Sequence, residues 1–259
     1  MRKSNAIGNG KKNAVSSETK KAKRVTFAAF FRKYGIHFTK KHSGKMETMW
    51  SLSTSVRLNK GCRERAKDKK SICSHCYADH MMDMYSDLEK CVARNTEVLN
   101  NVIIPVEEWP EIKKPFFRFE AFGDLSSVTQ VINYFNCCRK SPNCRFALWT
   151  KAPGFIAMAI KKGYAKPENL NIGVSSYYLN TEAATDRFPF VDFIFTVYDM
   201  KTALEKNINI NCGAKRCATC HKCYNAMDNG NGPMIINEML KEEAKAYEKE
   251  LGKRGKKNA

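Results

Sequence analysis

The sequence predicts an α/β fold, an incomplete (β/α)6 barrel of parallel strands with a C-terminal cysteine-rich extension. Three observations point there. From residue 49 onward, short β-branched or aromatic runs alternate with helical segments, the rhythm of βα units around a parallel sheet. Nearly every run ends in polar or glycine residues, where α/β folds place their chemistry. At 259 residues the chain is long enough for one barrel-sized domain or two smaller ones. Six consecutive units favour a curved, open barrel, and a doubly wound sheet is the alternative.

Residues 1–24 (MRKSNAIGNGKKNAVSSETKKAKR) read as a flexible basic arm, and the aromatic stretch 25–38 as a short element closing one end of the core. Strand one is expected over 49–56 (MWSLSTSV). A cysteine-bearing loop, 62–77, follows it, then a helix over 78–99 with Met82, Tyr85, Leu88 and Val92 on one face. Strand two, 116–122 (FFRFEAF), ends in Gly123 and Asp124, and the next helix opens on Ser126 or Ser127 as its cap. Strand three, 145–149, ends in Thr150 and Lys151 before a helix with Pro153 in its first turn. Strand four, 170–174, ends in Ser175 and Ser176. Strand five, 193–197, ends in Tyr198 and Asp199 ahead of a short helix, and strand six, 208–211, ends at Cys212. A charge-laced helix over 233–251 is expected last. The domain plan is therefore 1–24 arm, 25–211 barrel, and 212–259 cysteine-rich segment with helix and basic tail.

Composition narrows the function classes. A hydrophobic fraction of 43% and an aromatic fraction of 11% exclude a disordered chain. No apolar run approaches the roughly 18 residues that a membrane helix needs. The basic N-terminal stretch lacks the apolar centre of a signal peptide, so a cytoplasmic location is expected. The net charge of +19 suits an anionic partner, nucleic acid or nucleotide, although much of the excess lies in the two tails.

Eleven cysteines in a reducing compartment call for a reason other than disulfides, and clustered cysteines usually bind metal. Cys73 and Cys76 form a CxxC, with Cys62 eleven residues upstream, after the first strand. Three thiolates leave one coordination position open. Cys212, Cys217, Cys220 and Cys223 (C-x4-C-x2-C-x2-C) form a second set, whose four soft ligands suit either a tetrahedral zinc or an iron–sulfur cluster. His221, between two of them, is a zinc-ligand candidate or an exposed neighbour. Cys91, Cys137, Cys138 and Cys144 read as small buried hydrophobes. Alternation in FRFEAF puts Arg118 and Glu120 on one side of strand two. If that side is the interior, the pair is a candidate substrate site, because an unpaired buried charge is costly.

A CxxC with a third upstream cysteine after the first strand of a six-unit βα chain resembles the radical S-adenosylmethionine superfamily. This loop is C-x10-C-x2-C rather than that superfamily's usual C-x3-C-x2-C, and His75 stands where an aromatic residue is usual. The chain also resembles the uncharacterised phage family known as gene product 88. That resemblance rests on ICSHCYA (72–78), FGDLSS (122–127) and FALWTKAP (146–153) ahead of the second cysteine set, and spans roughly 49–224.

The first resemblance implies a [4Fe-4S] cluster on Cys62, Cys73 and Cys76, with S-adenosylmethionine at the open iron as the source of a 5′-deoxyadenosyl radical. Asp124, with Gly123, would accept from the cofactor's ammonium group and Lys151, beside Thr150, would pair with its carboxylate. Ser175 and Ser176 would bond the ribose hydroxyls, and Tyr77 would stack near adenine. The plainer readings are a helix cap for Asp124, turn residues for the serines and core packing for Tyr77. An electron donor such as a flavodoxin or ferredoxin is implied, and a phage origin implies the bacterial host cytoplasm. Two other readings stay open. One is a zinc-containing nucleic-acid-binding protein, favoured by Arg57, Lys60, Arg63, Arg65, Lys67, Lys69 and Lys70 around the first loop; the other is an iron–sulfur redox protein.

Overall fold

The computed structural model describes residues 24–213, 216–230 and 232–257, so the expected basic arm, apart from Arg24, lies outside them. Six strands, β1 (Trp50–Leu52), β2 (Phe116–Phe119), β3 (Arg145–Thr150), β4 (Leu170–Ser175), β5 (Phe193–Tyr198) and β6 (Met234–Met239), form one sheet. All pairings are parallel and the spatial order is the chain order. The helices are α1 (Phe27–Tyr34), α2 (Lys60–Lys67), α3 (Tyr77–Met84), α4 (Ser86–Asn101), α5 (Val128–Lys140), α6 (Gly154–Lys161), α7 (Met200–Glu205), α8 (Cys217–Cys220) and α9 (Ala244–Lys257).

Sequential order means that every crossover advances the same way, and right-handed crossovers then put their helices on one face. Alternate residues confirm the division. Phe117, Phe119, Phe146, Leu148, Leu170 and Ile172 pack beneath Leu99 of α4, Tyr134 and Phe135 of α5 and Ile156 of α6. Phe119 stacks between the rings of Tyr134 and Phe146, with centroids 4.1 and 5.3 Å away. The opposite face, through Phe116, Ala147, Trp149 and Phe193, meets Tyr224 and Ala226 of the second cysteine segment. This architecture is consistent with a partial α/β barrel.

Local chemistry sets the helix starts. Side-chain oxygens of Thr26, Asn59, Ser127 and Asp199 accept from the backbone N–H groups of Ala29, Cys62, Gln130 and Thr202, at 3.1, 3.2, 3.0 and 2.7 Å. Both sheet edges are covered. Thr39 exchanges two backbone bonds with Ser51 beside β1, and Cys212 bridges to Glu238 beside β6.

Several sequence expectations are corrected. Residues 208–211 are not a strand: Ile208 and Ile210 pack against Tyr198, Ala203 and Met239, while the sixth strand is Met234–Met239. Its run MIINEM merges in sequence with a charged helical stretch, but the helix begins only at Ala244. The cysteine segment is therefore the crossover between β5 and β6 rather than an extension. The predicted 78–99 helix is two helices, broken at Tyr85, whose backbone is extended (φ −134°, ψ 91°). Part of the first cysteine loop is helix α2, and the β4-to-β5 connection carries no helix. Phe190 packs that connection against the core, and Asp192 accepts from Lys166 and from the Ile172 N–H.

Gly173 of β4 lies under the ring of Phe193, and a Cβ there would overlap the ring. Gly173→Ala is expected to destabilise the fold by about 1–3 kcal/mol through overpacking, read from urea unfolding with an unchanged m-value. Wild-type stability in this variant would contradict the packing.

Candidate functional site

The first cysteine set is built on three short elements at the carboxyl end of β1. Asn59 both caps α2 and donates through Nδ2 to the carbonyls of Asp124 (2.9 Å) and Leu125 (3.1 Å). This fixes the start of α2 against the exit of β2. Cys62 lies in the first turn of α2, Cys73 in the 3-10 turn Ile72–His75 capped by Ser71, and Cys76 at the cap of α3. Cys62 and Cys76 pack into one apolar cluster with Val56, Ala78 and Met82. The ten residues separating Cys62 from the CxxC are folded back by α2. Burial pushes the Cys62 thiol up to about 12; Asp124, Cys76 and Cys73 stand near enough to add to this, and Arg65 opposes it.

Arg65 is one turn beyond Cys62 on α2. Its Nη2 is 2.6 Å from Asp124 Oδ2 and 3.5 Å from Cys62 Sγ, while its buried Nε has no acceptor. Asp124 is buried and fully engaged. It also accepts from Thr150 Oγ1 (2.6 Å), the Leu125 N–H (2.8 Å) and the Lys151 N–H (3.2 Å). One carboxylate thus joins the ends of β2 and β3 to the cysteine helix. Gly123 precedes it at φ +91°, where a Cβ would overlap the Thr54 carbonyl.

Beside this junction lies a cleft of about 400 Å³, lined by Arg65, Asp68, Ser71, Lys151, Tyr177 and Tyr178 among others. Ser71 Oγ donates to the Tyr177 carbonyl (3.0 Å) and the Tyr178 hydroxyl to Asp68 (2.9 Å), so the β4 exit is tied to the cysteine loop. Ser175 and Ser176 are buried and do not line the cleft; Ser176 Oγ accepts from the Tyr178 N–H. The Tyr77 ring is exposed and leans on Phe122, while its hydroxyl donates inward to the Ala121 carbonyl.

Arg118 and Glu120 are not on one side of β2. The strand ends at Phe119, and Glu120 takes a left-handed backbone (φ +54°), which breaks the two-residue alternation. Its carboxyl group turns under the helices, accepting from Gln130 Nε2 (2.6 Å), the Tyr134 hydroxyl and Thr54 (3.0 Å to Oγ1, 3.1 Å to N). Burial pushes Glu120 up to about 8 against the hydrogen bonds of Tyr134 and Thr54. Arg118 lies on the opposite face, its guanidinium 4.0 Å from the Trp149 ring centre and Nη1 3.5 Å from Met46 Sδ. It has no carboxylate partner among the described residues, and neither residue lines the cleft.

The second cysteine set rests on that opposite face. Cys212 bridges to Glu238 beside β6, Cys217 and Cys220 begin and end α8, and Cys223 lies in the turn Lys222–Tyr224. Asn171 of β4 holds this segment, donating to the Tyr224 carbonyl (2.8 Å) and accepting from the Met227 N–H (3.0 Å). Burial pushes Cys212 up to about 11 and raises Cys217 and Cys223, with the four thiols near enough to influence one another. His221 stacks on Phe116 at 4.7 Å. Among the described residues, no three His, Cys, Asp or Glu side chains are arranged to hold a metal ion. Cys137, Cys138 and Cys144 are buried in the main core, and Cys91 is half-buried.

No family model, curated protein or solved structure matches the chain. Among the described residues no helix is long and apolar enough to cross a membrane. Sequence reasoning missed Tyr177 and Tyr178, and read Arg65 only as one of the basic run. Recognising Asn59 as a helix cap would have placed Arg65 one turn from Cys62. Of the basic run, Arg57 is bound to Asp79, Asp83 and Glu89, Arg65 to Asp124 and Lys67 to Glu64.

Because the folded pKa of Glu120 exceeds its ordinary 4.5, the fold keeps a proton that the unfolded chain releases between 4.5 and about 8. Its stabilising share is full below that window and is lost as pH rises through it. Glu120→Gln is expected to gain on the wild type by more than ~1 kcal/mol between about pH 5 and pH 8, measured by urea unfolding. A pH-independent difference would mean that Glu120 is ionised throughout.

Proposed function

We propose that the chain is an iron–sulfur enzyme of the radical S-adenosylmethionine type, working at the carboxyl ends of β1 to β4. The observation that carries this reading is the packing of Cys62 and Cys76 in one cluster at the carboxyl end of β1, with Arg65 linking Cys62 to a cleft of cationic and aromatic walls. The six parallel strands in chain order suit the open barrel of that type. The buried, acceptor-less Nε of Arg65 suits an anionic thiolate-bound cluster, as does the chemistry of a three-thiol donor set. When bound, such a cluster with S-adenosylmethionine supplies a 5′-deoxyadenosyl radical.

The chain's own residues then have defined tasks. Arg65 holds α2, and with it Cys62, against Asp124. Lys151 and Arg65 present positive charge to a carboxylate in the cleft, and Tyr177 and Tyr178 offer aromatic surface to a purine. Asp124 positions these groups instead of contacting the cofactor, since protein donors already fill its acceptors. Lys60, Arg63, Lys69 and Lys70 carry no ion pair among the described residues, leaving a basic surface around the cysteine corner that suits a nucleotide or nucleic-acid substrate. The ion pairs of Arg57, Arg65 and Lys67 weaken the zinc-containing nucleic-acid-binding reading, which rested on the whole run.

Anaerobically reconstituted protein is expected to bind iron and sulfide and, with dithionite, to convert S-adenosylmethionine to 5′-deoxyadenosine. Cys73→Ala and Cys76→Ala are expected to abolish the conversion. Lys151→Ala is expected to weaken S-adenosylmethionine binding about tenfold, read by calorimetry. Zinc alone at both sets under iron-replete expression would overturn the proposal.

A further inference from the structure

The amino ends of β1 and β2, at the far end of those strands from the cysteine corner, carry more positive charge than the acids beside them offset. A pocket of about 190 Å³ opens there, lined by Arg24, Phe27, Trp50, Glu111, Lys113 and Lys114. Lys40 joins it from the segment that edges β1. Its Nζ lies 5.0 Å from the ring centre of Phe27 and 5.1 Å from that of Trp50, and Lys114 Nζ lies 5.3 Å from the Trp50 ring centre. Two rings with centres 5.4 Å apart, set edge to face at 77°, thus seat two ammonium groups. Among the described residues, ion pairs occupy Lys33 with Glu108 and Arg145 with Asp228, whereas Arg24, Lys40, Lys113 and Lys114 make none. Glu111 is the one acid in the lining.

These cations stand on anchored backbone. Thr39 exchanges two bonds with Ser51, each 2.9 Å, which fixes the chain where Lys40 begins. Lys113 and Lys114 lie between two held neighbours: the Ile112 N–H donates to Ser141 Oγ at 2.8 Å, and the Pro115 carbonyl accepts from the Arg145 N–H at 2.9 Å. Phe27 and Trp50 pack against the main core. Surface lysines lose rotamer freedom when they bind a ligand, and here the rings and the anchored backbone have removed part of it in advance.

We infer that this corner is a binding surface for a nucleic-acid backbone, contacted through its phosphates by Arg24, Lys40, Lys113 and Lys114 without reading of the bases. The rings decide the mode. Ammonium groups stand over them, so they act as seats for cations rather than as a platform for stacked bases. The same cover denies a protein partner the apolar centre that its interface would need. A phosphodiester chain needs only repeated cations, and the sequence supplies more: Lys20, Lys21 and Lys23 run into Arg24, with Glu18 the only acid in residues 1–23. The surface stands apart from the proposed iron–sulfur chemistry, since it lies at the other end of β1 and uses none of the cysteines.

The test is fluorescence anisotropy of a fluorescein-labelled DNA single strand with the full chain, in metal-free buffer without S-adenosylmethionine, so that its failure and failure of the radical reading are separate. Lys113→Gln with Lys114→Gln is expected to weaken binding about tenfold and to flatten the slope of log K against log salt by about 1.4, for two phosphate contacts at about 0.7 each. Glu111→Gln is expected to tighten binding about twofold to threefold, a gain that a misfolded chain cannot show. Strands of different base sequence are expected to bind within about twofold of one another. Unchanged affinity and slope in the double lysine variant would overturn the proposal, as would a strong preference for one base sequence. ATP competing as well as the strand at equal phosphate would identify a free nucleotide as the ligand instead. A loss seen only with Lys69→Gln and Lys70→Gln would place the strand at the cysteine corner and overturn it equally.

Discussion

The Asp124 carboxylate ties together segments that are far apart in the chain. It meets Arg65 of α2, Thr150 at the end of β3, and the backbone N–H groups of Leu125 and Lys151. Remove that carboxylate and Arg65 is left as a buried charge beside the Cys62 thiol, which is the expensive outcome for a buried ion pair. The geometry of the cysteine corner therefore depends on β2, β3 and α2 agreeing on one acceptor. Asn59 adds a second tie in the same place, capping α2 while bonding the chain that leaves β2.

The two faces of the sheet do different work. The helix-covered face is a dry aromatic layer, and its single buried acid, Glu120, is satisfied by Thr54, Gln130 and Tyr134. The opposite face is packed with sulfur-bearing side chains. It carries the second cysteine set, an unpaired arginine stacked on Trp149, and a tyrosine hydroxyl without a partner.

Much of the fold was legible because it follows from local rules. The alternation of β-branched runs with capped helices marked β1 to β5, with end residues Asp124, Thr150 and Lys151 at one rim. The sixth strand was not legible, because MIINEM runs into a charged segment of helical composition while the neighbouring ININ pattern imitates a strand. Glu120 was misread for a different reason. Alternation assumes an extended backbone, and the left-handed turn at this residue is set by its tertiary partners, not by its own preference. Cysteine spacing revealed two sets, but the helix that returns Cys62 to Cys76 depends on an asparagine cap easily passed over in a run of lysines and arginines.

The placement of the second cysteine segment between β5 and β6 also bears on how the chain is made. A ribosome releases β5 well before β6, so β5 first emerges as a bare sheet edge, the kind of surface that pairs with the wrong strand. The cysteine segment is made next and, in the folded chain, packs on the face of that strand against Phe193 and Phe195. That edge therefore waits for Met234–Met239, which makes β6 the last strand the sheet can acquire during synthesis.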